Sequence, residues 1–151
     1  AIVEASIKAN ERQRLRMVDR VVAMLGGDVE GKTVGMLGLS FKPETDDIRE
    51  APALDIASEL IKRGATVRAY DPAAMEASQK VLPELICCED AYDALTGADV
   101  MTIVTEWNEF RMLDLTRAKK LMAAPRMVDM RNIYDGASMA AAGFEYKGVG
   151  V

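Results

Sequence analysis

The sequence predicts an α/β chain, a Rossmann-like, doubly wound parallel sheet of about six strands preceded by a long α-helix. Three observations carry that prediction. Apolar residues recur at helical spacing from Ala1 to about Leu25 and stop at Gly26-Gly27. Beyond Gly31-Lys32, short β-like runs alternate with helix-like runs across short loops, the pattern of a parallel sheet covered on both faces. Half of the 151 residues are apolar and 28% are charged, enough to bury a sizeable core and too ordered a composition for a disordered chain.

The first helix carries its apolar stripe on Ile2, Val3, Ile7, Leu15, Val18, Val21, Val22 and Leu25, with Glu11, Arg12, Arg14, Asp19 and Arg20 between them. Continuous over this span it would be ~37 Å long, more than a small domain needs for its own packing, so it reads as a spine or subunit-contact helix. Because the chain opens on Ala1 inside this pattern, it is expected to be a piece of a longer polypeptide. Strands are expected at Thr33–Leu39, Thr66–Tyr70, Leu85–Cys88, Val100–Val104, Arg126–Asp129 and Phe144–Gly148. The second, fourth and fifth are rich in β-branched or bulky apolar residues with polar flanks. Helices are expected at Ala51–Arg63, Ala73–Val81, Ala91–Leu95 and Asp114–Met122. Pro52 stands where a first-turn proline belongs and Gly64 where a C-terminal glycine belongs.

Composition narrows function by exclusion. A net charge of −5 disfavours non-specific binding to nucleic acid or to an anionic membrane. No apolar run reaches the ~18 residues of a membrane span. Without histidine there is neither a Ser-His-Asp or Cys-His apparatus nor a histidine-ligated metal site. Cys87 and Cys88 are adjacent and followed by Glu89 and Asp90, whose sign raises rather than lowers a thiol pKa. They read as core residues of a reduced, cytoplasmic protein.

In doubly wound sheets ligands bind beyond the carboxyl ends of the strands, where strand order reverses. The end of the first strand, running from Gly35 through Gly38 to Glu50, is not GxGxxG: its glycines stand three apart and no third glycine opens the helix. A loop of about a dozen residues precedes Pro52, longer than usual for such crossovers and so a functional candidate. It carries Phe41, Lys42, Pro43 and Arg49. The two cations suit phosphate oxygens, while Asp46 and Asp47 would cap the turn or orient Arg49. Asp71, ending the second strand, either grips a ribose hydroxyl or opens an Asp-Pro turn. Trp107, at the fourth strand's end, is expected to pack beneath a loop. Arg131, leaving the fifth strand, adds a third cation to the same rim. Three cations on one rim of an acidic protein suit a dianionic ligand such as a diphosphate.

The string Gly38-Leu-Ser-Phe-Lys-Pro-Glu-Thr-Asp-Asp-Ile-Arg-Glu-Ala-Pro52 resembles the hallmark of the UDP-glucose 6-dehydrogenase family, in its C-terminal domain. Ala69-Tyr-Asp-Pro72, Thr105-Glu-Trp-Asn-Glu-Phe-Arg111 and Val128-Asp-Met-Arg-Asn-Ile-Tyr-Asp135 agree in order and spacing, and Asn10-Glu-Arg-Gln13 is similar to the end of the family's long central helix. The resemblance implies that residues 1–27 end that interdomain and dimerisation helix and that 28–151 form the C-terminal nucleotide-sugar (UDP)-binding domain. The N-terminal NAD-binding catalytic domain would lie outside this chain. Full-length members oxidise C6 of UDP-glucose twice, to UDP-glucuronate, with NAD+ as acceptor. Carried onto this chain, Phe41 and Lys42 contact the UDP-sugar, Arg131 contacts the UDP ribose–phosphate portion, and Arg49 reaches the NAD pyrophosphate. No catalytic residue is expected here, since neither Cys87 nor Cys88 has the Gly-rich context of the family's catalytic cysteine, and the chain alone should be inactive. Expected partners are the UDP-sugar, the chain's own NAD-binding domain and a second copy through the long helix. The alternatives are the same domain of a dehydrogenase for a UDP-N-acetylhexosamine or GDP-mannose, or a non-catalytic Rossmann-like dimerisation module.

Overall fold

The computed structural model describes residues 2–49 and 51–149, with side chains in the first helix from Glu11 onward. Helix α1 (Ile2–Met24) leads into six strands, β1 (Thr33–Leu37), β2 (Thr66–Tyr70), β3 (Ile86–Cys87), β4 (Val100–Ile103), β5 (Arg126–Asp129) and β6 (Glu145–Gly148). Six further helices fill the connections: α2 (Pro52–Lys62), α3 (Met75–Val81), α4 (Ala91–Leu95), α5 (Asn108–Arg111), α6 (Leu115–Leu121) and α7 (Gly136–Ala141). The strands form one sheet in the order β3-β2-β1-β4-β5-β6, every neighbouring pair parallel. That is the doubly wound order of dinucleotide-binding folds, whose direction of winding reverses between β1 and β4.

Strand alternation sorts the core onto two faces. Val34, Met36, Val67, Ala69, Val100 and Val128 pack on one side with Met17, Val18 and Val21 of α1 and Ile56, Ala57 and Leu60 of α2. Leu37, Met101, Ile103 and Met127 pack on the other with Ala94, Leu95, Phe110, Ala118 and Met139. Burial on both faces is what a parallel sheet demands, and it explains why the central strands read as apolar runs.

Helix α1 has 23 residues and is therefore about 34 Å long. Among its described side chains, Met17, Val18 and Val21 are buried, whereas Leu15, in the expected apolar stripe, is 48% exposed. Arg14 pairs with Asp55 and Arg63 approaches Asp19, so charged contacts fasten α1 to α2 along the flank of the buried stripe. Helix α2 begins at Pro52, as expected, and Gly64 ends it with φ +99°, its N–H bonding the Ile61 carbonyl at 3.0 Å.

Several boundaries differ from the sequence reading. β1 stops at Leu37 rather than Leu39 because the N–H groups of Leu39 and Ser40 turn to the Asp71 carboxylate instead of a neighbouring strand. β3 shrinks to Ile86–Cys87, an edge strand. Helix α3 starts at Met75, not Ala73, because the N–H groups of Ala73 and Ala74 bond Asp71 Oδ1 at 2.8 Å. Helices α5 and α7 were not anticipated. The Ala-rich α7 shows little apolar period, and its signal was Asp135, which caps it by accepting from the Ser138 N–H at 2.8 Å.

Candidate functional site

The loops leaving β1, β4 and β5 form the carboxyl edge of the sheet at and beside the reversal point. Beneath them lies Asp71, fully buried, with six donor contacts. Its Oδ2 accepts from the Leu39 and Ser40 N–H groups at 2.8 and 3.0 Å, the Ser40 hydroxyl at 3.0 Å and the Trp107 indole at 3.2 Å. Its Oδ1 takes the Ala73 and Ala74 N–H groups. Asp71 is therefore a structural staple and not a ribose ligand, and of the two readings the turn-opening one holds. Trp107 packs beneath the loop as expected, 8% exposed. Its indole N–H is shared with the Ser40 hydroxyl at 3.2 Å.

Gly38 brings β1 and β4 together. Its φ is +100°, and a Cβ placed there would lie 2.5 Å from both Cβ and N of Thr105. Thr105 in turn donates its hydroxyl to the Ser40 carbonyl at 2.7 Å. So the β1 and β4 exits are locked through Gly38, Ser40, Thr105 and Trp107, all around Asp71.

On this platform stands the loop from Phe41 to Ile48. The Phe41 N–H closes it on the Asp47 carbonyl at 2.8 Å. Phe41 is left 47% exposed and Lys42 is exposed beside it. Arg49 is held by Asp47 in a bidentate contact, Nε to Oδ1 and Nη2 to Oδ2, each 3.1 Å. The expectation that Asp47 orients Arg49 is met. Arg49 keeps the Asp47 carboxyl below the usual carboxylate range, and Lys42 adds a smaller push in the same direction.

Arg131 sits on a turn built by Asp129. That buried carboxylate accepts the Arg131 N–H at 3.1 Å on Oδ1 and the Tyr134 N–H at 2.8 Å on Oδ2. The Tyr146 hydroxyl lies between Asp129 Oδ2, at 2.9 Å, and the Tyr134 carbonyl, at 2.7 Å. Asn132, at φ +52°, exchanges two hydrogen bonds with the Val149 backbone, at 2.9 and 2.8 Å. The Arg131 guanidinium ion-pairs with Glu106 from the β4 exit. Sequence reasoning missed Glu106, whose partner lies 25 positions on. The three expected cations do share the carboxyl edge, but Arg49 and Arg131 each carry a carboxylate with them. Cys88 is buried and Cys87 half-buried, both free, and burial pushes both thiols up, away from nucleophilic thiolate character.

Three tyrosines behind this edge share one trend. Burial raises Tyr70, Tyr134 and Tyr146 above their ordinary value of 10.0, with Glu109 adding to Tyr70 and Asp129 to Tyr146. A group raised in the folded state lends stability that is complete below the unfolded value and is lost as pH climbs past it. Stability should therefore fall above about pH 10, and Tyr146→Phe should make that fall shallower. Urea midpoints measured on both sides of that pH check it; an identical slope in the variant would contradict the assignment.

No helix among the described residues is long and apolar enough to cross a membrane, and no group of three or more potential metal-ligating His, Cys, Asp or Glu side chains occurs among them. The family described as the UDP-glucose/GDP-mannose dehydrogenase family, UDP binding domain, matches residues 35–136. A UDP-glucose 6-dehydrogenase of Rhizobium meliloti (strain 1021) is 43% identical over 149 residues, covering 99% of this chain and 34% of that protein. UDP-glucose 6-dehydrogenase TuaD of Bacillus subtilis (strain 168) is 40% identical over 150 residues, 99% of this chain and 32% of that protein. The chain thus spans about a third of the length of these relatives. Among solved structures, a UDP-glucose dehydrogenase from the hyperthermophilic archaeon Pyrobaculum islandicum superposes with a TM-score of 0.81 at 33% identity, over 99% of this chain and 32% of that one.

Proposed function

This chain belongs to the UDP-glucose/GDP-mannose dehydrogenase family and spans its UDP-binding domain, and from that premise we propose that its carboxyl edge holds the UDP portion of UDP-glucose in an NAD-dependent 6-dehydrogenase. The reaction would be the twofold oxidation of UDP-glucose, with two NAD+ and water, to UDP-glucuronate and two NADH. The observation that carries the proposal is the placing of Phe41, Lys42 and Arg131 at the exits of β1 and β5, on either side of the β4 exit. In the proposed pose Lys42 and Arg131 meet diphosphate oxygens through charge-assisted hydrogen bonds, and the exposed Phe41 ring lies against the bound nucleotide. The curated relatives carrying the name UDP-glucose 6-dehydrogenase favour glucose over an N-acetylhexosamine or GDP-mannose substrate.

This domain's own crevice does not fit NAD. The first-strand exit lacks the third glycine of a dinucleotide fingerprint, and Asp71, at the ribose position of such folds, has its carboxylate filled from within. NAD then belongs to another part of the full-length enzyme, touched from here by Arg49, which Asp47 props outward at the rim. The same reading makes α1 the end of an interdomain helix that joins two copies, in a cytoplasmic enzyme whose chemistry resides in a domain outside this chain.

The test is a calorimetric titration of the chain with UDP and GDP. Selective UDP binding is expected, weakened in Lys42→Ala and in Arg131→Ala by ~1.5–3 kcal/mol each, roughly ten- to hundredfold. A residue whose alanine variant binds UDP as tightly as the parent does not belong to the site.

A further inference from the structure

Glu106 is the acidic side chain that ion-pairs with Arg131, and its own backbone is held on both sides. Before it, the buried Thr105 donates its hydroxyl to the Ser40 carbonyl at 2.7 Å. After it, Trp107 donates its indole N–H to the Ser40 hydroxyl and to Asp71 at 3.2 Å each. The carboxylate between them is only 21% exposed, while Arg131 is 44% exposed. A largely sheltered carboxylate thus faces a more exposed cation on the neighbouring strand exit. The closest approach is at Nε of Arg131. A guanidinium paired along one edge can present the rest of its planar fork to a second acceptor.

We infer that Glu106 is a positioning residue: it holds the Arg131 guanidinium ready for the diphosphate of the bound nucleotide. This rests on the UDP-binding reading above. Arginine loses much rotamer freedom when it docks on a ligand, and a partner that fixes it beforehand lowers that cost of binding. Two other roles for the same ion pair make different forecasts. A carboxylate that merely competes with the diphosphate would, once neutralised, let UDP bind more tightly. A pair that only ties β4 to β5 would change thermal stability and leave UDP affinity alone.

The experiment is a double-mutant cycle read by calorimetric titration of the 151-residue chain with UDP, using the parent, Glu106→Gln, Arg131→Ala and the double variant. Glu106→Gln is expected to weaken UDP binding about three- to tenfold in the parent. With Arg131 already removed, the same change should alter affinity by less than about twofold, because Glu106 then has no guanidinium to position. Equal losses in both backgrounds, unchanged affinity in the parent background, or tighter binding by Glu106→Gln would overturn the inference while leaving the UDP site standing. A parent that does not bind UDP, or an Arg131→Ala variant that binds it undiminished, would remove the site reading and this inference together. Thermal melting of each variant confirms that affinities are compared among folded proteins.

Discussion

Replacing Gly38 with alanine is expected to cost about 3 kcal/mol or more of stability, from backbone strain and overpacking together. Two independent features demand glycine there. Its φ of +100° is a conformation that side chains bearing a Cβ rarely adopt, and the added methyl would fall 2.5 Å from the Thr105 Cβ and backbone nitrogen. Neither neighbour can give way. The Thr105 hydroxyl is committed to the Ser40 carbonyl at 2.7 Å, and its backbone leaves β4 in the middle of the sheet. The change would push apart the exits of β1 and β4, the two strands between which the sheet reverses direction. Stability and UDP affinity should therefore fall together. Gly97 offers the internal control: its φ is +74°, but a Cβ there meets nothing within 4 Å, so alanine should cost only the backbone strain. Urea midpoints for the two variants decide the matter, and a Gly38→Ala midpoint no lower than that of Gly97→Ala would refute the steric account.

The sequence was most legible where one strand's own residues determine the outcome. Val67, Val100, Met101, Ile103 and Val128 are buried on a two-faced sheet, so their apolar character could be read without knowing their neighbours. Pro52 and Gly64 marked the ends of α2. What stayed hidden was decided by partners far along the chain. Asp71 allowed two readings because its donors Ser40 and Trp107 stand 31 and 36 positions away. Glu106 carries no signal of its own in the sequence, since its partner Arg131 stands 25 positions on. The early end of β1 has the same origin, since a distant carboxylate outcompetes strand pairing for two N–H groups. The candidate cations themselves were legible, because Lys42, Arg49 and Arg131 each follow a strand end that could be placed. Their carboxylate partners were legible only for Asp47, two residues from Arg49.

Asp71→Ala is expected to be the other severe change, costing about 3–5 kcal/mol. The residue is fully buried, and removing its carboxylate would strand the N–H groups of Leu39, Ser40 and Ala74 without an acceptor. The Trp107 indole would lose one of its two acceptors and the Ser40 hydroxyl its own. An unpaired buried donor costs far more than a hydrogen bond contributes, because the donor cannot return to water. Asp71→Asn separates this role from that of a ribose ligand. The amide keeps one oxygen acceptor but turns an NH2 group toward donors on the other side, so about 2 kcal/mol of stability should go even though shape is preserved. A ribose ligand would show the reverse pattern, with nucleotide affinity lost and the folded state unharmed. Denaturation and UDP titration on the same Asp71→Asn sample distinguish the two. A normal urea midpoint combined with weakened nucleotide binding would return Asp71 to the binding site, whereas a lowered midpoint fits a staple that joins the β1, β2 and β4 exits before any ligand arrives.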